Sequence, residues 1–204
     1  APEAIPPKAV VAENKPAPKI SKAEPKQNPK ISHSSAKNLH WTQMSDEQMR
    51  EIYGNYSRDI TKPYSGSAED LNKYLKGKGV LSEQGQAFID AQNKYGISAA
   101  VLAGIAISES GGTSSLARKR FNVTSISSSR GWRRFNNVSE CIDYTASMLA
   151  NRYVKNSGLS GVSLKTLYQI NAKYCPVSDT RNNSSNNRFW AQNVENKVRE
   201  IEKA

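Results

Sequence analysis

Residues 97–112 read ISAAVLAGIAISESGG and contain a single ionisable side chain, Glu109. Up to residue 108 the side chains are apolar or small, so a helix of this sequence has no polar face and needs protein on all sides. Ser98 is suited to its N-cap, and the pair Gly111–Gly112 supplies a stop at which the chain can take a positive φ. We therefore predict a buried central helix that ends at this glycine pair.

Glu109 falls in the last turn of the predicted helix. Its carboxylate there lies at the partially negative end of the helix dipole and beside apolar packing, and both effects raise the pKa of a glutamate. A carboxyl group that stays protonated near the working pH can act as a general acid. The simpler interpretation is a helix-end glutamate that points into water, and the helix alone leaves both interpretations open.

The composition allows one folded domain and an extended segment before it. Seven of the nine prolines and six lysines lie in the first thirty residues, and such a segment buries too little apolar surface to fold. We predict a disordered Pro/Lys/Ala-rich linker over residues 1–40 and a folded domain over residues 41–204. Spacers of this kind usually join two modules, so a second catalytic or binding domain is expected before the linker.

The formal net charge of +11 implies an acidic partner. Zinc-finger spacing, an aromatic ribonucleoprotein motif and a basic reading helix are missing from the sequence, so nucleic acid is not the expected partner. No apolar run is long enough to insert into a membrane. An anionic cell wall fits the charge better than either.

The cysteine and histidine residues, which are common metal ligands, are not arranged as in a metal or cofactor site. Cys141 and Cys175 have no metal-ligand spacing around them, and His33 and His40 both precede the folded domain, so neither a zinc site nor a cofactor is expected. The two cysteines either bond to each other or remain as buried thiols, because connectivity cannot be read from sequence.

The character of the sequence changes between residues 110 and 139. This stretch has six arginines or lysines, eight serines and no acid, and helical periodicity disappears in it. Residues 121–126 and 132–135 alternate in a strand-like way. We predict a small β-hairpin lobe whose strands are bridged by residues 128–131.

Further helices are predicted on both sides of the core helix, where apolar residues recur at helical spacing. They begin near Ser45, Ser67 and Ser82 before it, and near Ser139, Ser163 and Trp190 after it. With the hairpin lobe, the fold class is mainly α with a small β part.

Residues 64–202 resemble the glucosaminidase domains of glycoside hydrolase family 73, a lysozyme-like family that cuts peptidoglycan. The matching segments, in order, are LNKYLKG (71–77), GQAFI (85–89), YGI (95–97), ESGGTSSLA (109–117), residues 135–149 and residues 174–179. The Glu-Ser-Gly triplet also occurs in soluble lytic transglycosylases. Its place at the end of an apolar helix, followed by Thr-Ser and Leu-Ala, is more specific.

The resemblance implies a lysozyme-like α+β fold in which the hairpin lobe forms the second wall of a sugar cleft. It implies hydrolysis of the β-1,4 bond between N-acetylglucosamine and N-acetylmuramic acid, with Glu109 as the catalytic acid. The expected partner is therefore the peptidoglycan glycan strand. The expected location is extracellular, in the cell wall, or in a phage virion. A muramidase or lytic transglycosylase is the alternative, and a non-catalytic wall-binding module is the second alternative.

Glycoside cleavage also needs a group that meets the positive charge developing on the sugar, usually a second carboxylate. Glu140 is the first acid after the lobe, although a carboxylate at a helix N-terminus is explained equally well by the helix dipole. Asp143 and Asp179 are weaker candidates. The N-acetyl group of the substrate can attack in place of a second acid, and the acid-free lobe favours that mechanism.

The remaining candidates concern substrate binding. By resemblance, Tyr174 lies beside the sugar, where it positions the acetamido group or water, and Asp179 follows in the same segment. Asn122 begins Asn-Val-Thr-Ser-Ile, where relatives often have Asn-x-Phe-Gly-Ile, so its substrate contact rests on an altered motif. Trp132 and Phe135 can stack on sugar faces or pack within the lobe.

Three arginines of the lobe also have two interpretations. Arg130, Arg133 and Arg134 can meet the carboxylates of muramyl peptides or wall phosphates, or they form a solvated run of charge.

Overall fold

A computed structural model describes residues 39–177 and 184–204 of the chain. The predicted linker over residues 1–40 lies outside the described residues except for its last two positions. Asp179 also lies outside them.

Short helices make up most of the described structure. They are α1 (Asp46–Tyr53), α2 (Ala68–Leu75), α3 (Gly85–Tyr95), α4 (Ala99–Ser110), α5 (Ser115–Arg120), α6 (Val138–Leu149), α7 (Leu167–Tyr174) and α8 (Trp190–Ile201), with 3-10 turns at Trp41–Gln43, Gly79–Leu81 and Ser184–Phe189 and a π-helical turn at Ala150–Lys155. Strands β1 (Ser127–Ser128) and β2 (Gly131–Trp132) pair antiparallel, with Ser127 opposite Trp132. The predicted mainly helical fold with a small β-hairpin is confirmed. No helix of these two ranges is long and apolar enough to cross a membrane.

The core helix is α4, and it follows its prediction closely. Residues 99–106 are all buried, Ser98 is the N-cap, and Gly111 ends the helix in the left-handed region with φ 59°. α4 packs mainly against α8. A methyl group at Gly104 would come within 2.9 Å of Val198 Cγ2, so glycine lets the two helices approach closely. This contact places the start of α8 beside the end of α4.

The lobe between residues 110 and 139 differs from its prediction in two ways. It contains α5, which the sequence pattern did not indicate, because six residues are too few to display helical periodicity. Ser114 caps this helix: its side chain accepts the Ala117 N–H at 3.1 Å. The strands have two residues each and do not extend over residues 121–126 and 132–135. The reason is Asn122, whose Oδ1 accepts the Ile126 N–H at 2.9 Å and holds this segment in a turn.

Three helices begin at positions other than those predicted. α3 begins at Gly85, after a 3-10 turn. α6 begins at Val138, just before the predicted start near Ser139, because Asn137 is its N-cap. α7 begins at Leu167 rather than near Ser163, whose hydroxyl donates to the Val154 carbonyl at 2.7 Å.

Gly112 fixes the chain just beyond α4. Its φ is +73°, and an added Cβ would lie 2.0 Å from the Lys78 carbonyl oxygen. The Gly112 carbonyl in turn accepts the Val80 N–H at 3.0 Å. The end of the core helix is therefore held against the 3-10 turn at Gly79–Leu81, and this contact fixes where the last turn of α4 lies.

We predict that Gly112→Ala lowers the free energy of unfolding by at least about 1 kcal/mol more than Gly77→Ala, because overpacking commonly costs about 1–3 kcal/mol. Gly77 is a matched control: its φ is +77°, and nothing lies within 4 Å of an added Cβ. Both alanines are strained by the left-handed backbone conformation, but only the Cβ added at position 112 collides with a backbone atom. Urea unfolding of both variants gives the comparison, and equal losses would contradict this account of the end of α4.

Candidate active site

The Glu109 carboxyl lies where α4, α8 and the lobe meet. Trp190, the first residue of α8, donates its indole N–H to Glu109 Oε1 at 2.7 Å. The Ser125 side chain of the lobe hydrogen-bonds to the same carboxyl. Glu109 itself is partly buried. Two elements far apart in the sequence thus hold one acid in a defined orientation.

The environment of Glu109 raises its pKa above the usual value of a glutamate. Burial is the largest cause and acts upward, whereas the hydrogen bonds from Trp190 and Ser125 stabilise the charged form and act downward. Burial prevails, so the proton is held at a higher pH than on an exposed glutamate. A carboxyl in this state can donate a proton to a substrate oxygen, as a general acid must.

Tyr174 lies directly behind this acid. Its ring packs against Trp190 with the centroids 5.1 Å apart, and its hydroxyl donates to the Thr124 carbonyl at 2.7 Å. Burial, followed by the charge of Glu109, raises the pKa of Tyr174 well above its usual value. The phenol therefore stays protonated and connects α7 to the segment that carries Ser125.

The segment from Asn122 to Ile126 forms a tight turn at the acid. Asn122 is completely buried, and its Nδ2 donates to the carbonyls of Ile126 at 2.8 Å and Arg133 at 2.9 Å. Ser125 has φ 55°, in the left-handed region that favours glycine. It occupies the position that is glycine in the Asn-x-Phe-Gly-Ile motif, so the turn explains the motif. The contacts of Asn122 are within the protein, which favours a structural role over a direct substrate contact.

The other acids considered from the sequence have partners of their own. Glu140 is exposed, and its Oε2 accepts the Asn136 N–H at 2.7 Å while its own N–H donates to Asn137 Oδ1 at 2.8 Å. Asp143 accepts from Lys94 at 2.7 Å and from the Tyr95 hydroxyl at 2.8 Å. These contacts are those of a helix N-terminus and of an α3–α6 clamp. They favour the structural interpretation of both residues.

The remaining predicted binding residues differ in accessibility. Trp132 is 49% exposed on β2, so its ring faces are open to a ligand. Phe135 is 4% exposed and packs against Tyr144, with ring centroids 5.7 Å apart. Its burial favours packing over sugar stacking. The proposed contact of Asp179 lies outside the described residues.

The two cysteines are thiols in the structure. Cys141 is buried with its Sγ 3.4 Å from Thr124 Oγ1, and burial raises its pKa. Both thiols lie close enough to Tyr174 to affect its titration. Within the described ranges, no group of three or more His, Cys, Asp and Glu side chains is arranged to hold a metal ion.

A cavity elsewhere in the structure has a different character. A cavity of about 620 Å³ is lined in part by Arg58, Glu195 and Arg199. Glu195 accepts from Arg58 at 2.6 Å and from Arg199 at 2.7 Å, and Glu202 accepts from Arg58 at 2.7 Å, so the two cations are balanced by two carboxylates. Glu109 combines partial burial, directed donors and a raised pKa, and we therefore place the candidate active site there.

Comparison with known families identifies the chain's relatives. The glucosaminidase family model, described as mannosyl-glycoprotein endo-beta-N-acetylglucosaminidase, matches residues 85–203, which is more than half of the chain. The chain belongs to the glucosaminidase family. This confirms the resemblance to glycoside hydrolase family 73 and the expectation of a glycoside hydrolase.

Curated relatives of this chain are much longer proteins. The bifunctional autolysin of Staphylococcus epidermidis is 37% identical over 107 residues, which cover 51% of this chain and 8% of that protein. The bifunctional autolysin of Staphylococcus aureus strain Mu50 is 35% identical over 107 residues, covering 51% and 9%. The chain thus spans less than a tenth of the length of these relatives.

Solved structures of autolysin E from S. aureus share the fold. A catalytic mutant in complex with the disaccharide NAG-NAM superposes with a TM-score of 0.62 at 20% identity, covering 84% of this chain and 90% of that one. The complex with the muropeptide NAM-L-Ala-D-iGlu gives a TM-score of 0.61 at 22% identity, with coverage of 84% and 90%. The lysozyme-like fold class predicted for the chain is therefore confirmed.

Sequence reasoning missed two contacts of the acid, those of Trp190 and Ser125. Trp190 is the predicted start of the last helix, and its side chain is 6% exposed. Its indole N–H requires a partner when buried, which was the available signal, but the partner lies 81 positions away in the chain. For Ser125 the signal was its place at the glycine position of the family motif.

We predict that Trp190→Phe moves the basic limb of the kcat/KM–pH profile to higher pH. The acid must be protonated to act, so activity falls as pH rises through the pKa of Glu109. The indole N–H stabilises the carboxylate, and phenylalanine keeps a ring but removes this donor, so the pKa rises further. The measurement is the pH profile on a soluble muropeptide.

Trp41→Phe is the matched control for this prediction. It removes an equivalent N–H from a buried indole that packs against the Lys173 ammonium at 5.3 Å, and its profile should match that of the unmodified protein. An unchanged basic limb in Trp190→Phe, or a limb displaced to lower pH, would show that this hydrogen bond does not tune the acid.

Proposed function

We propose that the chain is an endo-β-N-acetylglucosaminidase that cleaves the β-1,4 bond between N-acetylglucosamine and N-acetylmuramic acid, on the glucosamine side, with Glu109 as general acid. The observation that carries this proposal is the Glu109 carboxyl at the end of α4, whose pKa burial raises and whose orientation Trp190 sets. The glucosaminidase family match and the autolysin relatives support a peptidoglycan hydrolase. The particular bond follows from the family resemblance.

The chemical step assigned to Glu109 is protonation of the leaving oxygen. As the glycosidic bond breaks, the carboxyl becomes a carboxylate, which the indole N–H of Trp190 stabilises at 2.7 Å. The Ser125 side chain adds a second hydrogen bond. Both contacts strengthen as the negative charge forms, so they favour proton transfer in the direction that cleavage requires.

In this proposal, the acetamido group of the substrate stabilises the positive charge that develops on the sugar. The acetamido oxygen attacks the anomeric carbon, as in substrate-assisted families, and water then opens the resulting ring. The first two acids after the lobe support this choice. Glu140 is occupied in holding the Asn136 N–H, and Asp143 is paired with Lys94.

Substrate binding is assigned to exposed aromatic groups of the lobe and of the segment before α8. Trp132, 49% exposed, offers a ring to one sugar face, and Phe189, one residue before Trp190, is 40% exposed. The Tyr174 hydroxyl donates to Thr124, and its oxygen remains an acceptor for an acetamido N–H or water. Asp179 remains a proposed substrate contact by resemblance.

The biological setting is the cell wall. The similarity of the chain to bifunctional autolysins favours extracellular, autolytic wall degradation over a virion-associated role. Because the chain spans less than a tenth of those proteins, additional catalytic or binding domains in the same polypeptide remain part of the proposal. The proposed linker over residues 1–40 would join them.

Product analysis tests the proposed bond. Digestion of peptidoglycan followed by mass spectrometry should give fragments with reducing N-acetylglucosamine ends. Reducing muramyl ends would indicate a muramidase, and anhydro-muramyl ends would indicate a lytic transglycosylase, which needs a single acid as well. Absence of cleavage by folded protein would support a non-catalytic wall-binding module.

A pair of variants tests the mechanism. Glu109→Gln should lower turnover of a soluble muropeptide by about 10²–10⁴-fold, the usual contribution of general acid catalysis. Glu140→Gln should lower it far less, with any loss attributable to weaker capping of α6. Both rates are measured at one salt concentration, because a basic protein on an anionic wall binds in a salt-dependent way. Similar losses in two folded variants would establish a two-carboxylate mechanism instead.

A further inference from the structure

The acid-free lobe contains an unusual concentration of positive charge. Residues 110–139 include six arginines and lysines, while the chain as a whole carries a formal charge of +11. More than half of that excess therefore resides in about one seventh of the chain. These cations, which we call the lobe cations, are Arg118, Lys119, Arg120, Arg130, Arg133 and Arg134.

The fold joins the two sequence segments that carry these charges. The Phe135 N–H donates to the Arg120 carbonyl at 2.9 Å, which ties the end of α5 to the chain after β2. The Arg120 guanidinium donates to the Trp132 carbonyl at 3.0 Å. All six side chains are exposed. The last turn of α5 and the hairpin thus present their cations on one lobe.

In the part of the chain that the structure describes, the lobe cations have no carboxylate partner, whereas several cations elsewhere do. Arg58, Lys94 and Arg199 each lie within 2.7 Å of a carboxylate, whereas within residues 39–177 and 184–204 no lobe cation forms an ion pair. Arg133 instead lies over the Tyr144 ring, 4.2 Å from its centroid. Like charges gathered without partners repel one another, so the lobe favours an external anion.

The number and type of these groups indicate the partner's chemistry. One peptide carboxylate would occupy one or two guanidinium groups, and six cations suit a chain that carries a charge on every repeat. Five of the six are arginines, whose planar donors match phosphate oxygens in pairs. We propose that the lobe is a docking surface for a linear phosphodiester polymer of the cell wall. This docking role is additional to the proposed cleavage, since it concerns attachment of the protein to the wall.

The test uses a variant of the full chain in which three lobe cations are neutralised, Lys119→Gln/Arg130→Gln/Arg134→Gln. The matched control, Lys76→Gln/Lys155→Gln/Lys203→Gln, removes the same charge from exposed lysines on other elements. All proteins carry Glu109→Gln for the binding measurements, so the outcome does not depend on cleavage. Circular dichroism melts confirm that each variant folds.

The first measurement is the salt dependence of binding to long-chain inorganic polyphosphate. Each phosphate contact contributes roughly −0.7 to −0.9 to the slope of log K against log salt, so the lobe variant should flatten the slope by about 2 and the control by much less. Equal flattening in both variants would overturn the proposal, because net charge rather than the lobe would then explain binding. Tighter lobe-dependent binding to duplex DNA of equal charge would also overturn it, in favour of nucleic acid.

The second measurement distinguishes wall phosphate from peptide carboxylate. Co-sedimentation with wall sacculi is compared before and after hydrofluoric acid removes the phosphodiester-linked polymers. We expect lobe-dependent binding to fall at least tenfold on the stripped sacculi. Retained lobe-dependent binding would overturn the phosphodiester assignment. With Glu109 restored, the lobe variant should cleave a soluble muropeptide within about twofold of the unmodified rate, which separates attachment from the proposed catalysis.

Discussion

The hydrogen bond between Trp190 and Glu109 is the contact on which the account of this molecule depends. It joins the end of α4 to the start of α8 across 81 positions of the chain, and the close packing of those two helices makes it possible. Burial raises the pKa of the acid, and the indole limits the rise by stabilising the carboxylate. The acid can therefore hold a proton and also release it.

The raised pKa of Glu109 also affects the pH dependence of the stability of the fold. Because the pKa of Glu109 is higher in the folded protein than on an exposed glutamate, its contribution to stability is present at low pH and is lost as pH rises through that pKa. Glu195, in the middle of α8, behaves in the reverse way. Burial acts to raise its pKa, but hydrogen bonds from Arg58 and Arg199 prevail and lower it. The contribution of Glu195 to stability is present at neutral pH and is lost on acidification. The ion pairs of Glu195 therefore stabilise α8 in the pH range in which the charged form of Glu109 lowers stability.

Local patterns accounted for the core helix and the position of the acid. The uniformly apolar run from residue 99 to 106 can only be buried, and Gly111 ends it in the left-handed region, while Ser98 takes the N-cap position without a capping hydrogen bond from its side chain. The lobe was located by its composition, but its internal structure depends on Asn122, whose amide bonds to Ile126 and Arg133. Propensity does not reveal such a side-chain clamp. The partners of Glu109 were equally hidden, because Trp190 meets it only after α8 has packed on α4. Family resemblance supplied Tyr174, and its place behind the acid reflects a tertiary contact that periodicity does not encode.

The central claim is that Glu109 holds its proton above the pH at which ordinary glutamates lose theirs. A carbon-13 NMR titration of the glutamate side-chain carboxyls in the unmodified protein tests it directly, with the Glu109 resonance assigned by its absence from Glu109→Gln. The account predicts a midpoint for Glu109 above the ordinary glutamate value of about 4.3. A midpoint at or below that value would contradict the assignment of Glu109 as a partly buried general acid.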